Sequence, residues 1–301
     1  MARLRPILPL VLIALVSGLI AAAPASAQYP GVPWSDLLPP VASPDRPQPK
    51  PVAHCREPSI GCISTQARRL RAARERLGCD HRAVFATTYM VLTRHAKKWL
   101  VENPGEVSDH RYLFIEDALF ANFYFRVLRA WDRESPVPEA WRIAFESAER
   151  GDYFGAQDML LGINAHVQND MPFLLASLGL TKPNGDSRKP DHDVANGTLN
   201  RAYEDVVAEV RDRFDPLIDL SNPEVVPLDD LAGLELVRGW RELVWRNAER
   251  LLNAKNKQEQ RQVAKSIEDQ AALTAQVIAA AGLPGYGATR DAYCAAGPSG
   301  N

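Results

Sequence analysis

From about residue 55 onward, apolar residues recur at three- and four-residue spacing, and no stretch sustains the every-other-residue alternation of a half-buried strand. A chain patterned this way buries its apolar faces by packing helix on helix, so the expected fold class is all-α. Caps and breakers divide the pattern. Ser64 or Thr65 opens a helix to about Leu77, Asp80 one to about Glu102, and Asp109 a third through Trp131. Pro138 starts a short fourth, and a fifth runs from about Gly155 to Leu178. Pro190 and Asp191 open a sixth to Phe214, with a seventh over about Leu231 to Asn253 and an eighth over about Lys257 to Ala281. Short connections favour a single compact bundle of about eight helices over residues 55–301.

The segments before residue 55 read differently. A basic start, MARLR, the apolar run ILPLVLIALVSGLI and the small residues Ala25-Ser26-Ala27 have the form of a cleaved secretory signal over 1–27. Residues 28–54 are proline-rich, which favours extended, surface-draped backbone. Later apolar runs are broken by charges, so no transmembrane anchor is expected after cleavage, and the expected product is secreted. In an oxidising compartment Cys55, Cys62, Cys79 and Cys294 form two disulfides in one of three pairings. We favour Cys55–Cys62, which closes a short loop, and Cys79–Cys294, which ties the C-terminal tail to the first helices. With 35 basic and 37 acidic residues, the chain has no general attraction for nucleic acid, and RRLRAARER reads as the solvated face of one helix.

The candidate chemistry lies on three helices. In GINAHVQNDMPFLLA, His166 and Asp170 are four residues apart and share a helical face, a spacing that suits an imidazole and a carboxylate on one divalent ion such as zinc. Pro172 predicts a kink beside the pair, with Asn164 and its polar neighbours serving bent backbone or a pocket. In HRYLFIEDALFANFYFRVLRAW, Glu116 and Asp117 both sit among apolar neighbours, Asp117 on the face of Tyr124. A carboxylate in that setting must be paired, protonated or metal-bound, and Arg126 is one available partner. Asp80-His81, Asp109-His110 and Asp191-His192 stand where helices begin. Capping accounts for the aspartates, leaving His81 and His192 as candidate metal ligands, with Asn196 on the face of His192. No nucleophile elbow, phosphate loop, H-E-x-x-H or dinucleotide fingerprint is present.

The segments CDHRAVFATTYMVLTR, EDALFANFYFRVLRAW, PEAWRIAFESA, GINAHVQNDMPFLLASLGL, RKPDHDVANGTLNR and RDAYC resemble a mainly actinobacterial family catalogued as a domain of unknown function. The resemblance covers almost all of the chain after the signal and implies an exported helical protein. The helical H-x-x-x-D of His166 and Asp170 also resembles one piece of the zinc-dependent phospholipase C and single-strand nuclease proteins. Those enzymes hold three zinc ions with a mature N-terminal tryptophan and more histidines than the six found here, so at most one or two metals are expected. Two functions follow. The favoured one is a non-catalytic binding or structural role toward an unknown small molecule or lipid. The alternative is a metal-dependent hydrolase of phosphoesters or lipids, with His166, Asp170 and Asp117 as ligands and Glu116 as the base.

Overall fold

The computed structural model describes residues 37–38, 49–151, 153–218, 230–280 and 285–297. The expected signal peptide, and the leader apart from 37–38 and 49–54, lie outside the described residues. Within them the chain is all-α. Its helices are α1 (Ile60–Leu77), α2 (Arg82–Glu102), α3 (His110–Trp131), α4 (Glu139–Arg150), α5, α6 (Lys189–Arg213), α7 (Asp230–Asn253), α8 (Lys257–Ala279) and α9 (Tyr286–Ala296). Helix α5 is composite: Gly155–Asn164 is α-helical, Ala165–Asp170 forms a π-helical turn, and Met171–Leu178 resumes the α form.

Local chemistry sets these boundaries. Asp109 accepts from the Tyr112 amide at 3.0 Å and so caps α3. Asp191 does not cap its own helix. Lying in the first turn of α6, it accepts from the Ser108 and Asp109 amides at 2.8 and 3.1 Å, securing the start of α3 from across the bundle. Asp80 accepts from the Arg82 amide at 2.8 Å, immediately before α2 proper. The bend expected at Pro172 takes the form of the π turn. A proline ring cannot pack against the carbonyl four residues back, and one extra residue in the preceding turn moves that carbonyl away. Pro172 then falls at the start of the resumed α segment, where a missing N–H breaks no intrahelical bond.

Among the described residues there is a ninth helix, α9, beyond the eight expected. It is fixed to the body by the Cys79–Cys294 disulfide, while Cys55–Cys62 closes the loop before α1. Buried Arg290 of α9 binds Asp158 and donates to the Tyr153 carbonyl at 2.8 Å and to the Phe214 carbonyl at 3.3 Å. Gly287 is required there, because a Cβ would stand 1.5 Å from the Gly151 carbonyl oxygen. Among the described residues the largest core cluster joins α1 through α8 around Phe85, Tyr124 and Trp141. Among the described residues no helix is long and apolar enough to cross a membrane.

Candidate functional site

A cavity of about 560 Å³ lies between α2, α3, α5, α6 and α7. Most of its wall is aliphatic and aromatic, including Leu92, Leu160, Ile163, Val194, Leu199 and Val237. The polar residues of the wall are Glu116 and Asp117 on α3, His166 in the π turn of α5, Asp191, His192, Thr198 and Tyr203 on α6 and Arg241 on α7, with Thr88, Tyr89 and Thr93 on α2. Four of the candidate residues, Glu116, Asp117, His166 and His192, therefore share one cavity although they come from three helices.

The other candidates lie elsewhere. Asp170 sits behind His166, outside the cavity lining, where its Oδ2 meets His166 Nδ1 at 3.0 Å and accepts from Trp141 Nε1 at 2.9 Å. Asn169 donates to its other oxygen at 2.8 Å. The facing atoms of the His166–Asp170 pair thus bond to each other, and Nε2 is the histidine nitrogen left for another partner. His81 does not line the cavity. Its Nδ1 lies 3.0 Å from Asp158 and 2.9 Å from Arg290, and its Nε2 3.2 Å from Asp291, so it clamps α9 to the start of α2.

None of Asn164, Asn196 and Tyr124 lines the cavity. Asn164 donates to the Ala271 carbonyl at 2.9 Å and accepts from Gln168 at 2.7 Å, which joins α5 to α8. Asn196 accepts from Arg241 Nε at 2.8 Å. Tyr124 belongs to the aromatic core, its ring 5.2 Å from Phe85 and 5.8 Å from Trp141. Nor does Arg126 pair with the α3 carboxylates; its guanidinium stacks on Phe123 at 4.4 Å.

On the residues that line the cavity several buried atoms bond to no described residue: Glu116 Oε2, Asp117 Oδ2, His166 Nε2, both ring nitrogens of His192, and the hydroxyls of Tyr89 and Thr93. Such groups are uncommon in folded proteins, where nearly all buried polar atoms are paired. His192 Nδ1 approaches Glu116 Oε1 only to 3.7 Å, too far for a hydrogen bond. Arg241 is occupied otherwise, donating to the His192 carbonyl at 2.5 Å as well as to Asn196.

Burial governs the charge states. It raises Glu116 to about 7, with Arg241 pulling the other way and Asp191 adding to the rise. Asp117 also reaches about 7, through burial and the neighbouring Glu116 carboxylate. Burial lowers His166 against the opposing pull of Asp170. His192 is held well below its ordinary value by burial, then by Arg241 and Lys189. Because the Asp170 carboxylate only accepts, a neutral His166 carries its proton on Nδ1 and presents a lone pair at Nε2.

The ring is held in place by its neighbours. Phe120 stacks on it at 3.6 Å, and Tyr89 and Phe85 lie 5.0 and 5.7 Å away. Phe85 reaches this position because residue 162 is glycine; a Cβ there would come within 2.4 Å of the Phe85 ring. Arg241, Tyr89 and Thr93 were not among the sequence candidates. Both hydroxyl residues stand on the apolar α2 pattern, where a polar group at a core-facing position was the available signal.

Among the described residues no group of three or more His, Cys, Asp or Glu side chains is arranged to hold a metal ion. A model of a family of unknown function (DUF5995) matches residues 63–281. No curated protein and no solved structure matches the chain.

Proposed function

The chain belongs to the family of unknown function DUF5995, and since that membership brings no activity with it, we propose from the cavity itself that the protein binds a largely apolar small molecule with one polar end. One observation carries this reading: a cavity of about 560 Å³ with largely apolar walls, several of whose lining residues hold unpaired, buried polar atoms. Cavities of this size and character are the usual form of small-molecule sites. An apolar molecule filling it gains the transfer energy of its buried surface, and its polar end supplies partners that the wall lacks. Export through a secretory signal belongs to the same proposal and is supported by the two disulfides, which persist in oxidising compartments.

Binding of the fluorescent apolar probe 1-N-phenylnaphthylamine tests the reading. Saturable one-site binding is expected, weakened at least tenfold by Ala195→Trp, which places an indole into the cavity. Weak, unsaturable binding that is indifferent to this substitution would reject it.

A second reading, a metal-dependent hydrolase of phosphoesters or lipids, draws on one observation: Glu116, Asp117, His166 and His192 line the same cavity. It requires movement of those side chains toward one ion. Elemental analysis of protein purified without a metal-affinity tag decides it, stoichiometric zinc favouring the hydrolase and its absence the binding role.

A further inference from the structure

We infer that the molecule held in this cavity ends in a primary or secondary ammonium, seated among Glu116, Asp117 and His166; this rests on the binding reading above. The unpaired atoms of these three lining residues define the chemistry. Glu116 Oε2 and Asp117 Oδ2 accept hydrogen bonds when ionised, and His166 Nε2 accepts in the tautomer that Asp170 enforces. His166 is 2% exposed and Glu116 9% exposed, and both line the cavity. An alkylammonium has two or three N–H donors and no acceptor, which complements a set of acceptors. An alcohol offers one donor, and a carboxylate offers none.

The charges agree. Among ionised groups on the wall, Asp191 is satisfied by the Ser108 and Asp109 amides and lies 3.7 Å from Lys182. Lys189, which is not part of the wall, is committed to Asp193 and Glu242, at 2.7 and 2.6 Å. Neutral His192 adds no charge, and Tyr89 stays protonated, because burial and the nearby carboxylates raise its hydroxyl well above 10. What remains is the two α3 carboxyls facing the single guanidinium of Arg241. With both carboxyls ionised, the site has one surplus negative charge in a low-dielectric surrounding, and one ammonium neutralises it. The Tyr89 and Phe85 rings beside His166 present aromatic surface to such a cation. Because Glu116 and Asp117 titrate at about 7, an ammonium binding near neutral pH displaces protons from them.

Displacement of 1-N-phenylnaphthylamine by decylamine, decanol and decanoate at pH 8 tests the inference, since the three differ only at the polar end. Decylamine is expected to bind tighter than either competitor by roughly tenfold or more, as charge-assisted hydrogen bonds outweigh neutral ones. The paired substitution Glu116→Gln with Asp117→Asn should abolish that preference when the three compounds are titrated directly by calorimetry, a cooperative thermal melt showing that the variant is folded. Decanol or decanoate binding as tightly as decylamine would overturn the ammonium assignment and leave the binding reading intact, as would a preference that survives the paired substitution. Failure of the probe itself to bind would overturn the binding reading and the inference with it.

Discussion

The Phe120 ring lies parallel to the His166 imidazole, 3.6 Å between centroids and 4° between planes. This stack fixes the plane of the imidazole, and Asp170 fixes its rotation through Nδ1, so Nε2 has one direction in which to point. Removing the imidazole leaves buried Asp170 with Trp141 and Asn169 as its remaining donors. His166→Ala is therefore expected to lose roughly 1–3 kcal/mol, the cost of an unsatisfied buried group. Urea denaturation checks this, and an unchanged midpoint would show that the pair does not support the π turn.

Stability should depend on pH in two opposing ways. Glu116 and Asp117 titrate at about 7 in the folded protein, against ordinary values of 4.5 and 3.8. The native state therefore binds more protons than the unfolded state between about pH 4 and pH 7, and this contribution is lost as pH rises through that window. His166 and His192 are lowered from 6.5, so their contribution is present above that value and is lost on acidification below it. The paired substitution Glu116→Gln with Asp117→Asn should raise stability at pH 8 by roughly 1–3 kcal/mol, because no buried charge then has to form. Thermal melts from pH 5 to 8 report the difference; a variant less stable than the parent at pH 8 would mean that the carboxylates are stabilising as ions.

Gly162→Ala introduces a Cβ within 2.4 Å of the Phe85 ring. Accommodating it requires Phe85 to move away from α5, with the overpacking cost of typically 1–3 kcal/mol. Since Phe85 lines the cavity, probe affinity should change along with the melting temperature. A melting temperature equal to the parent's would show that the ring yields freely.

Opening the Cys79–Cys294 bond, which links residues 215 apart in sequence, is expected to lower stability by roughly 2–5 kcal/mol. Arg290, His81 and Tyr286, which binds Asp215 and packs its ring on Phe154 at 4.3 Å, are the contacts that then keep α9 attached. Cys79→Ser with Cys294→Ser should accordingly raise proteolytic sensitivity first within 286–296. Cleavage beginning inside α2 instead would show that the tail and the body unfold together.

The fold could be read from the spacing of apolar residues because each long helix carries a continuous stripe and a cap or breaker at its ends. Helix α9 escaped because it is short, begins at Gly285 in a left-handed conformation, and holds its place through buried Arg290 rather than an apolar stripe. The shared cavity was visible in part: Glu116 and Asp117 stood out as charges on an apolar helix, and His166 and His192 as histidines in polar clusters. Which face of each helix met a cavity and which met the core was not visible, since both are apolar. Thus Tyr124 went to the core, and Asn164 bonds a carbonyl 107 residues away that no local pattern reveals. Asp170 shares the face of His166 but serves the ring from behind, because the π turn carries the two side chains to different surroundings.

Nuclear Overhauser effects between bound 1-N-phenylnaphthylamine and methyl-labelled protein test most directly whether the cavity is the binding site. The cavity reading predicts effects to the methyl groups of Leu160, Val194 and Val237, which line it, and none to Leu273 and Val277, which are 58% and 46% exposed on α8. Effects confined to Leu273 and Val277, with none inside the cavity, would place the probe on the outer surface and contradict it.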